Sequence, residues 1–285
     1  MNPYLHLVSE IARLKQEGKS YPLGGFPDCP RPKTDPDAPK VLIFSPHPDD
    51  EVIIGGAALR LLRECKWNVA NVAVTLGRRP ERKASRLSEL KDCCRCIGFE
   101  LIETAPGGLD HVELPMRKRD PVLWANSVRI IADILTSQQP RLILFPHEDD
   151  WNSTHIGTNA LMRDALASLP ADFSCYTLET EFWGAMNAPN LLVEIGPDDL
   201  ADMITALTYH VGEVGRNPYH LTLTAWMQDN VRRGSELVGG QGGPACDFVF
   251  ATVYRLRRWQ QGKWDSTYSG GRQMGAKDDL SALLA

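Results

Sequence analysis

No uninterrupted apolar run of about 18 residues occurs in this chain, and a bilayer-spanning helix needs roughly that length, so no transmembrane segment is expected. Long basic blocks are lacking as well. The formal net charge is −5, and the densest basic cluster, Arg78, Arg79, Arg82, Lys83 and Arg86, reads as a solvated helix face with its leading loop. Both features argue against a nucleic-acid binder held by phosphate contacts. Cysteine is present but forms no recognisable disulfide framework. Cys29, Cys65, Cys93, Cys94, Cys96, Cys175 and Cys246 are odd in number and irregular in spacing, which suits a reducing compartment and a cytoplasmic location. Within them, Cys93-Cys94-Arg95-Cys96 has no second ligand pair at zinc-finger spacing and lies in a helical pattern, so it reads as buried structural thiols.

What is present is enough for a sizeable core, since 43% of the 285 residues are apolar, an ordinary share for a globular protein. Residues 1–39 place Leu5, Val8, Ile11 and Leu14 at helical spacing with Glu10, Arg13 and Lys15 between them. That pattern predicts an amphipathic helix, not a signal peptide. A proline-rich linker follows, from Pro22 to Pro39. From Lys40 onward, apolar strands near 41–44, 69–76, 101–104 and 141–145 alternate with helices near 55–65, 82–97, 121–138 and 155–169, with Gly98 at a helix C-cap.

Such alternation predicts an α/β domain over residues 40–260. Its sheet would be Rossmann-like and mostly parallel, flanked by helices on both faces, with further strands (175–183, 191–195) and helices (198–209, 219–231) toward the C-terminus. No G-x-G-x-x-G follows the first strand, so a dinucleotide is not indicated. The tail, residues 261–285, has few apolar anchors before Leu280 and is expected to be peripheral or an oligomer arm. A homo-oligomer stays open.

The chemistry collects in two loops. Ser45-Pro46-His47-Pro48-Asp49-Asp50-Glu51 follows the buried run Val41 to Phe44 and packs one imidazole with three carboxylates. Carboxylates a few ångströms apart cannot all stay ionised without a compensating cation, which a divalent metal would supply. The competing explanation is that these acids cap the next helix. A second strand end opens into Pro146-His147-Glu148-Asp149-Asp150-Trp151-Asn152-Ser153-Thr154-His155. Parallel connectivity puts both loops at the carboxyl edge of the sheet, where ligands gather. There His47, Asp50 and one of His147 or His155 can converge. Two imidazoles and one carboxylate with open positions make a catalytic metal shell, whereas four closed ligands would make a structural one.

His47-Pro48-Asp49-Asp50-Glu51 behind an apolar strand, with a His-ended loop behind the fourth strand, resembles the PIG-L / LmbE-like zinc deacetylases, which remove acetyl groups from N-acetylglucosamine-containing substrates. The resemblance runs from about Lys40 to Tyr254. It implies that His47, Asp50 and His155 bind zinc and that Asp49 is the general base. The family's His-Pro-Asp-His run aligns with Asn152-Ser153-Thr154-His155, so Asn152 replaces a histidine near the oxyanion, and either its amide or His147 would serve there. Arg86-Leu87-Ser88-Glu89 is similar to the family's Arg-x-x-Glu, which implies an arginine on the substrate side. Ala206-Leu207-Thr208-Tyr209-His210 is similar to its Ala-Leu-x-x-His segment, with Gly212-Glu213 in place of Ser-Gln. Ala245-Cys246-Asp247-Phe248 stands where the family has Ala-Glu-x-Phe.

The constellation also argues for the reaction directly. An amide is a poor electrophile and water a poor nucleophile, and a metal that polarises one and acidifies the other answers both difficulties. Zinc fits a His/Asp/His shell, and ferrous iron fits nearly as well. Asp49 cannot share Asp50's ligand geometry, because adjacent side chains diverge, so it is free to move a proton. Glu51 would support the site from behind or cap the helix. Trp183 and Trp226 are candidates for stacking on a sugar, although such aromatics are more often core. The expected partner is a small amino-sugar conjugate, His147 and His210 being further candidate contacts to it. The competing functions are a non-catalytic sugar-conjugate binding protein and an O-acetyl esterase using the same metal site.

Overall fold

The structure is a computed structural model describing residues 2–285. Helix α1 (Tyr4–Gly18) precedes an extended segment and strand β1 (Lys40–Ser45); α2 (Asp50–Ile53), α3 (Gly56–Cys65) and β2 (Asn68–Ala73) follow. Next come α4 (Pro80–Ile97), β3 (Glu100–Glu103), α5 (Met116–Arg119), α6 (Pro121–Gln138) and β4 (Leu142–Pro146). Helix α7 (Ser153–Ser168), β5 (Cys175–Thr180), β6 (Leu191–Glu194), α8 (Pro197–Leu207), α9 (Val211–Val214) and α10 (Tyr219–Gly239) continue the chain. It closes with β7 (Ala251–Gln260), β8 (Lys263–Ser266), β9 (Arg272–Met274) and a 3-10 turn, Leu280–Leu284.

Period-2 alternation with both faces apolar explains why β1 lies at the centre. Val41 and Ile43 pack with Leu59 and Leu61 of α3, while Leu42 and Phe44 pack with Ile131 and Leu135 of α6 and Leu161 of α7. A strand buried on both sides is the mark of a parallel sheet covered by helices. The order β3-β2-β1-β4-β5 is parallel throughout. Strand order therefore reverses between β1 and β4, the position at which open α/β sheets bind ligands. The Rossmann-like class predicted from sequence is what is observed, and Gly98, at φ +89°, ends α4 as expected by donating to the Cys94 carbonyl.

Beyond β5 the sheet turns antiparallel. Strand β7 lies between β5 and β6, and β8 also pairs with it. Here the sequence reading of residues 261–285 as peripheral is corrected. Strand β9 extends the sheet by pairing parallel with β6, and Leu280 and Leu284 are buried in the main core. Long-range pairing and two apolar residues near the end suffice to incorporate a segment that looks weak locally. Helix α1 forms as expected, but its apolar residues Leu5, Val8, Ile11 and Leu14 are all exposed. Among the described residues, no helix is long and apolar enough to cross a membrane.

Candidate active site

The loop after β1 is held from three directions. Thr75 donates from Oγ1 to the Pro46 carbonyl at 2.7 Å, the His47 amide donates to Asp50 Oδ2 at 2.8 Å, and Arg86 Nη2 donates to the Pro48 carbonyl at 3.1 Å. Glycine is required opposite that arginine. Gly77 has φ +85°, and a Cβ there would come within 2.3 Å of Arg86 Nη1. The loop after β4 is organised by Asn152, which caps α7 by accepting from the Thr154 amide at 2.9 Å. One turn of α7 then carries His155 inward.

His47, Asp50 and His155 converge, offering one ligand atom each within 4.8 Å of one another. Asp50 Oδ2 lies 3.6 Å from His47 Nδ1 and 3.4 Å from His155 Nε2. His155 is 1% exposed, yet among the described residues neither ring nitrogen has a hydrogen-bond partner. A buried imidazole left unsatisfied is costly, and a cation between Nε2 and Asp50 would relieve that cost on the Nε2 side. The nitrogen, oxygen, nitrogen donor set suits zinc or ferrous iron. On the far side, Asp150 Oδ2 lies 3.6 Å from His155 Nδ1. The Asn152 and Trp183 amides donate to Asp150 and fix it in turn. Such a carboxylate behind a ligating imidazole sets its orientation.

The local field matches a cation site. Burial works against a charged His155, but Asp50 and Asp150 outweigh it and raise its pKa to about 10. Asp49 behaves in the opposite way. Burial, followed by the charge of Asp50, lifts its carboxyl well above the ordinary range, with Arg86 opposing. Its backbone has φ +111°, a region that non-glycine residues rarely occupy.

A cavity of about 470 Å³ opens over the cluster, with His47, Asp49 and Asp50 in its lining. Arg86, Asn152 and Trp183 also line it. Two expected contacts are corrected. His147 lies outside the lining, buried, with Nε2 2.8 Å from the Gly184 carbonyl and Nδ1 accepting from the Asp149 amide. His210 is likewise absent from the lining and fully buried, with Nε2 2.7 Å from Glu51 Oε1. Trp226 lines a neighbouring apolar cavity of about 400 Å³ that shares Phe182, Trp183 and Tyr219 with the first.

The sequence reading missed Asp150, Arg216 and Tyr219. Asp150 was visible as an acid in the His-ended loop, but its partnership with His155 depends on how that loop folds back. Arg216 and Tyr219 belong to no motif. They follow Glu213, whose carboxylate meets Arg82 at 3.0 Å, Arg86 at 3.8 Å and Arg216. Cys93, Cys94 and Cys96 are buried, as expected, and form no disulfide.

Comparisons with known proteins agree with this geometry. Residues 42–166 match the PIG-L family model, described as GlcNAc-PI de-N-acetylase. The N,N'-diacetylchitobiose deacetylase of Pyrococcus horikoshii is similar in structure, with TM-score 0.56 and 18% identity over 87% of this chain and 91% of that one. A teicoplanin deacetylase gives TM-score 0.55 and 16% identity over 77% and 98%. The 4-carboxy-2-hydroxymuconate hydratase GalB of Pseudomonas putida KT2440 gives TM-score 0.55 and 18% identity over 76% and 95%. At these identities the likeness establishes a shared fold. No curated protein sequence matches the chain.

Proposed function

We propose that this chain, which carries the PIG-L pattern over residues 42–166, is a metal-dependent hydrolase that removes the N-acetyl group from a small N-acetylglucosamine-type conjugate. The observation that carries the reading is His155, buried with two unpartnered ring nitrogens between Asp50 and Asp150. His47, Asp50 and His155 would hold the ion, and a bound zinc supplies a Lewis acid that polarises the acetamide carbonyl and lowers the pKa of water. Every remaining task falls to side chains.

Asp49 lines the same cavity without belonging to the ligand group. Its raised pKa suits a group that takes a proton from the attacking water and then delivers it to the departing amine as the C–N bond breaks. Asn152 spends its Oδ1 on the Thr154 amide, which leaves the Nδ2 hydrogens to donate to the developing oxyanion. His147, buried behind Gly184, is replaced in that role. Trp183 and Tyr219, with ring centroids 6.0 Å apart, form an aromatic wall for a sugar face. Arg78 and Arg216, also in the lining, offer donors to its hydroxyl groups.

The test pairs metal analysis with acetate release from N-acetylglucosamine conjugates and from O-acetyl sugars. Metal bound at one equivalent with acetate released from the amides is the expected result. Release from O-acetyl sugars alone would replace the amidase by an esterase, and a metal-free protein that binds the conjugates unchanged would replace it by a binding protein.

A further inference from the structure

A second group of buried ligand-type side chains, Glu51, Cys93 and His210, lies directly behind the loop that carries Asp49. These atoms are also within 4.8 Å of one another, but both oxygens of Glu51 are already engaged. Oε2 accepts from the Asp49 amide at 2.9 Å, and Oε1 is 2.7 Å from His210 Nε2. Burial also pushes the Cys93 thiol well above its usual pKa, which keeps it protonated and a poor ligand. The group is therefore better suited to holding the backbone than to holding a second ion.

We infer that Glu51 and His210 are positioning residues for Asp49, a role that rests on Asp49 being the general base of the reaction proposed above. Asp49 adopts φ +111° and ψ −30°, a conformation that non-glycine residues rarely hold unless the surroundings enforce it. The enforcing contact is the Asp49 amide on Glu51 Oε2. Glu51 is itself immobile because it is 0% exposed and its other oxygen receives His210, also 0% exposed. His210 precedes α9, whose Glu213 and Val214 amides donate to the His210 carbonyl. One buried residue thus fixes both the base and the start of the segment that brings Glu213 to the cavity wall.

The Glu51 carboxylate accepts from two donors, and an apolar side chain accepts from neither. In Glu51→Leu both the Asp49 amide and His210 lose their acceptor, and no change of His210 tautomer restores one. His210→Phe removes the donor and keeps an aromatic ring, whereas His210→Gln restores an N–H the same number of bonds from the backbone. For Glu51→Leu and His210→Phe we expect kcat to fall about 10–100-fold, with KM and bound metal unchanged. Partial recovery is expected in His210→Gln. Amide hydrogen exchange at Asp49, measured by NMR, should accelerate at least about tenfold in the first two variants, and this readout does not depend on turnover. An unchanged Asp49 exchange rate in Glu51→Leu overturns the proposal. So does a loss of kcat that merely follows a loss of metal or of thermal stability. A wild type that releases no acetate would sink the deacetylase reading, while the exchange rates would still decide whether Glu51 holds Asp49.

Discussion

His155 Nε2 lies 3.4 Å from Asp50 Oδ2, and that separation joins the loop after β1 to the first turn of the helix after β4. If the two groups share an ion, removing either imidazole of the triad should abolish metal binding. His155→Ala is expected to lower metal affinity by at least about 100-fold, the upper end of what even supporting residues cost, with the fold retained by circular dichroism. Stoichiometric zinc in the purified variant would exclude His155 as a ligand.

Asp49 separates chemistry from metal binding. Asp49→Asn should keep a full complement of metal and lose turnover by about 100- to 10,000-fold, the usual contribution of a positioned acid or base. Isothermal titration of the apo protein with zinc, alongside acetate release, measures both quantities. Equal losses of metal and rate would place Asp49 among the ligands instead.

Glu213 links stability to pH. Burial works against its ionisation, but Arg86, Arg216 and Arg82 overcome that and hold its carboxyl below the ordinary value of 4.5. A carboxyl with a depressed folded pKa contributes stability above its unfolded value, and the contribution disappears as pH falls through the folded one. Glu213→Gln should therefore cost roughly 1–3 kcal/mol at neutral pH. In denaturant titrations the variant and wild-type stabilities should converge as pH falls below 4.5 and through the depressed folded value. Parallel curves across that window would show that Glu213 does not titrate as its arginines require.

The aromatic wall makes a prediction about binding. Trp183 is 45% exposed at the cavity rim, so Trp183→Ala should leave the core intact. It is expected to raise KM about two- to tenfold, the range that the roughly 0.5–1.5 kcal/mol of an aromatic contact converts to, with kcat within a factor of about three. A selective fall in kcat would mean that Trp183 shapes the reacting centre and not the sugar platform.

The C-terminal segment can be tested by a single truncation of side-chain volume. Leu284 is 4% exposed in the main core, and its carbonyl accepts from Arg141 Nε at 2.7 Å. Leu284→Ala should cost roughly 2–5 kcal/mol, visible as a shift of the urea midpoint. A shift too small to resolve would return the tail to the periphery.

Sequence was informative about placement where a short motif sits beside a strongly patterned strand. His47, Asp49, Asp50 and His155 fall in that class, as does the helix-covered parallel half of the sheet. It was poor at side-chain direction. His147 and His210 are histidines in suggestive surroundings, yet one turns to the Gly184 carbonyl and the other to Glu51, and neither contact has a local signature. Asp150 illustrates the same limit, because its link to His155 is made by tertiary folding of a polar loop. Strand β9 is three residues long and gains its identity from pairing with distant β6, which no local propensity announces.

The placement of β7 also bears on how the protein is made. Strand β5 finds its neighbour on one side only when residues 251–260 are available, so during vectorial synthesis the half-built sheet leaves the ribosome with a bare edge, the kind that invites intermolecular pairing. The triad of His47, Asp50 and His155, by contrast, is encoded upstream of β5. If these three residues hold an ion as proposed, a nascent chain carries all of its ligands before its sheet is shut, and a divalent metal supplied during translation should protect arrested chains from aggregation in a way that metal added afterward does not.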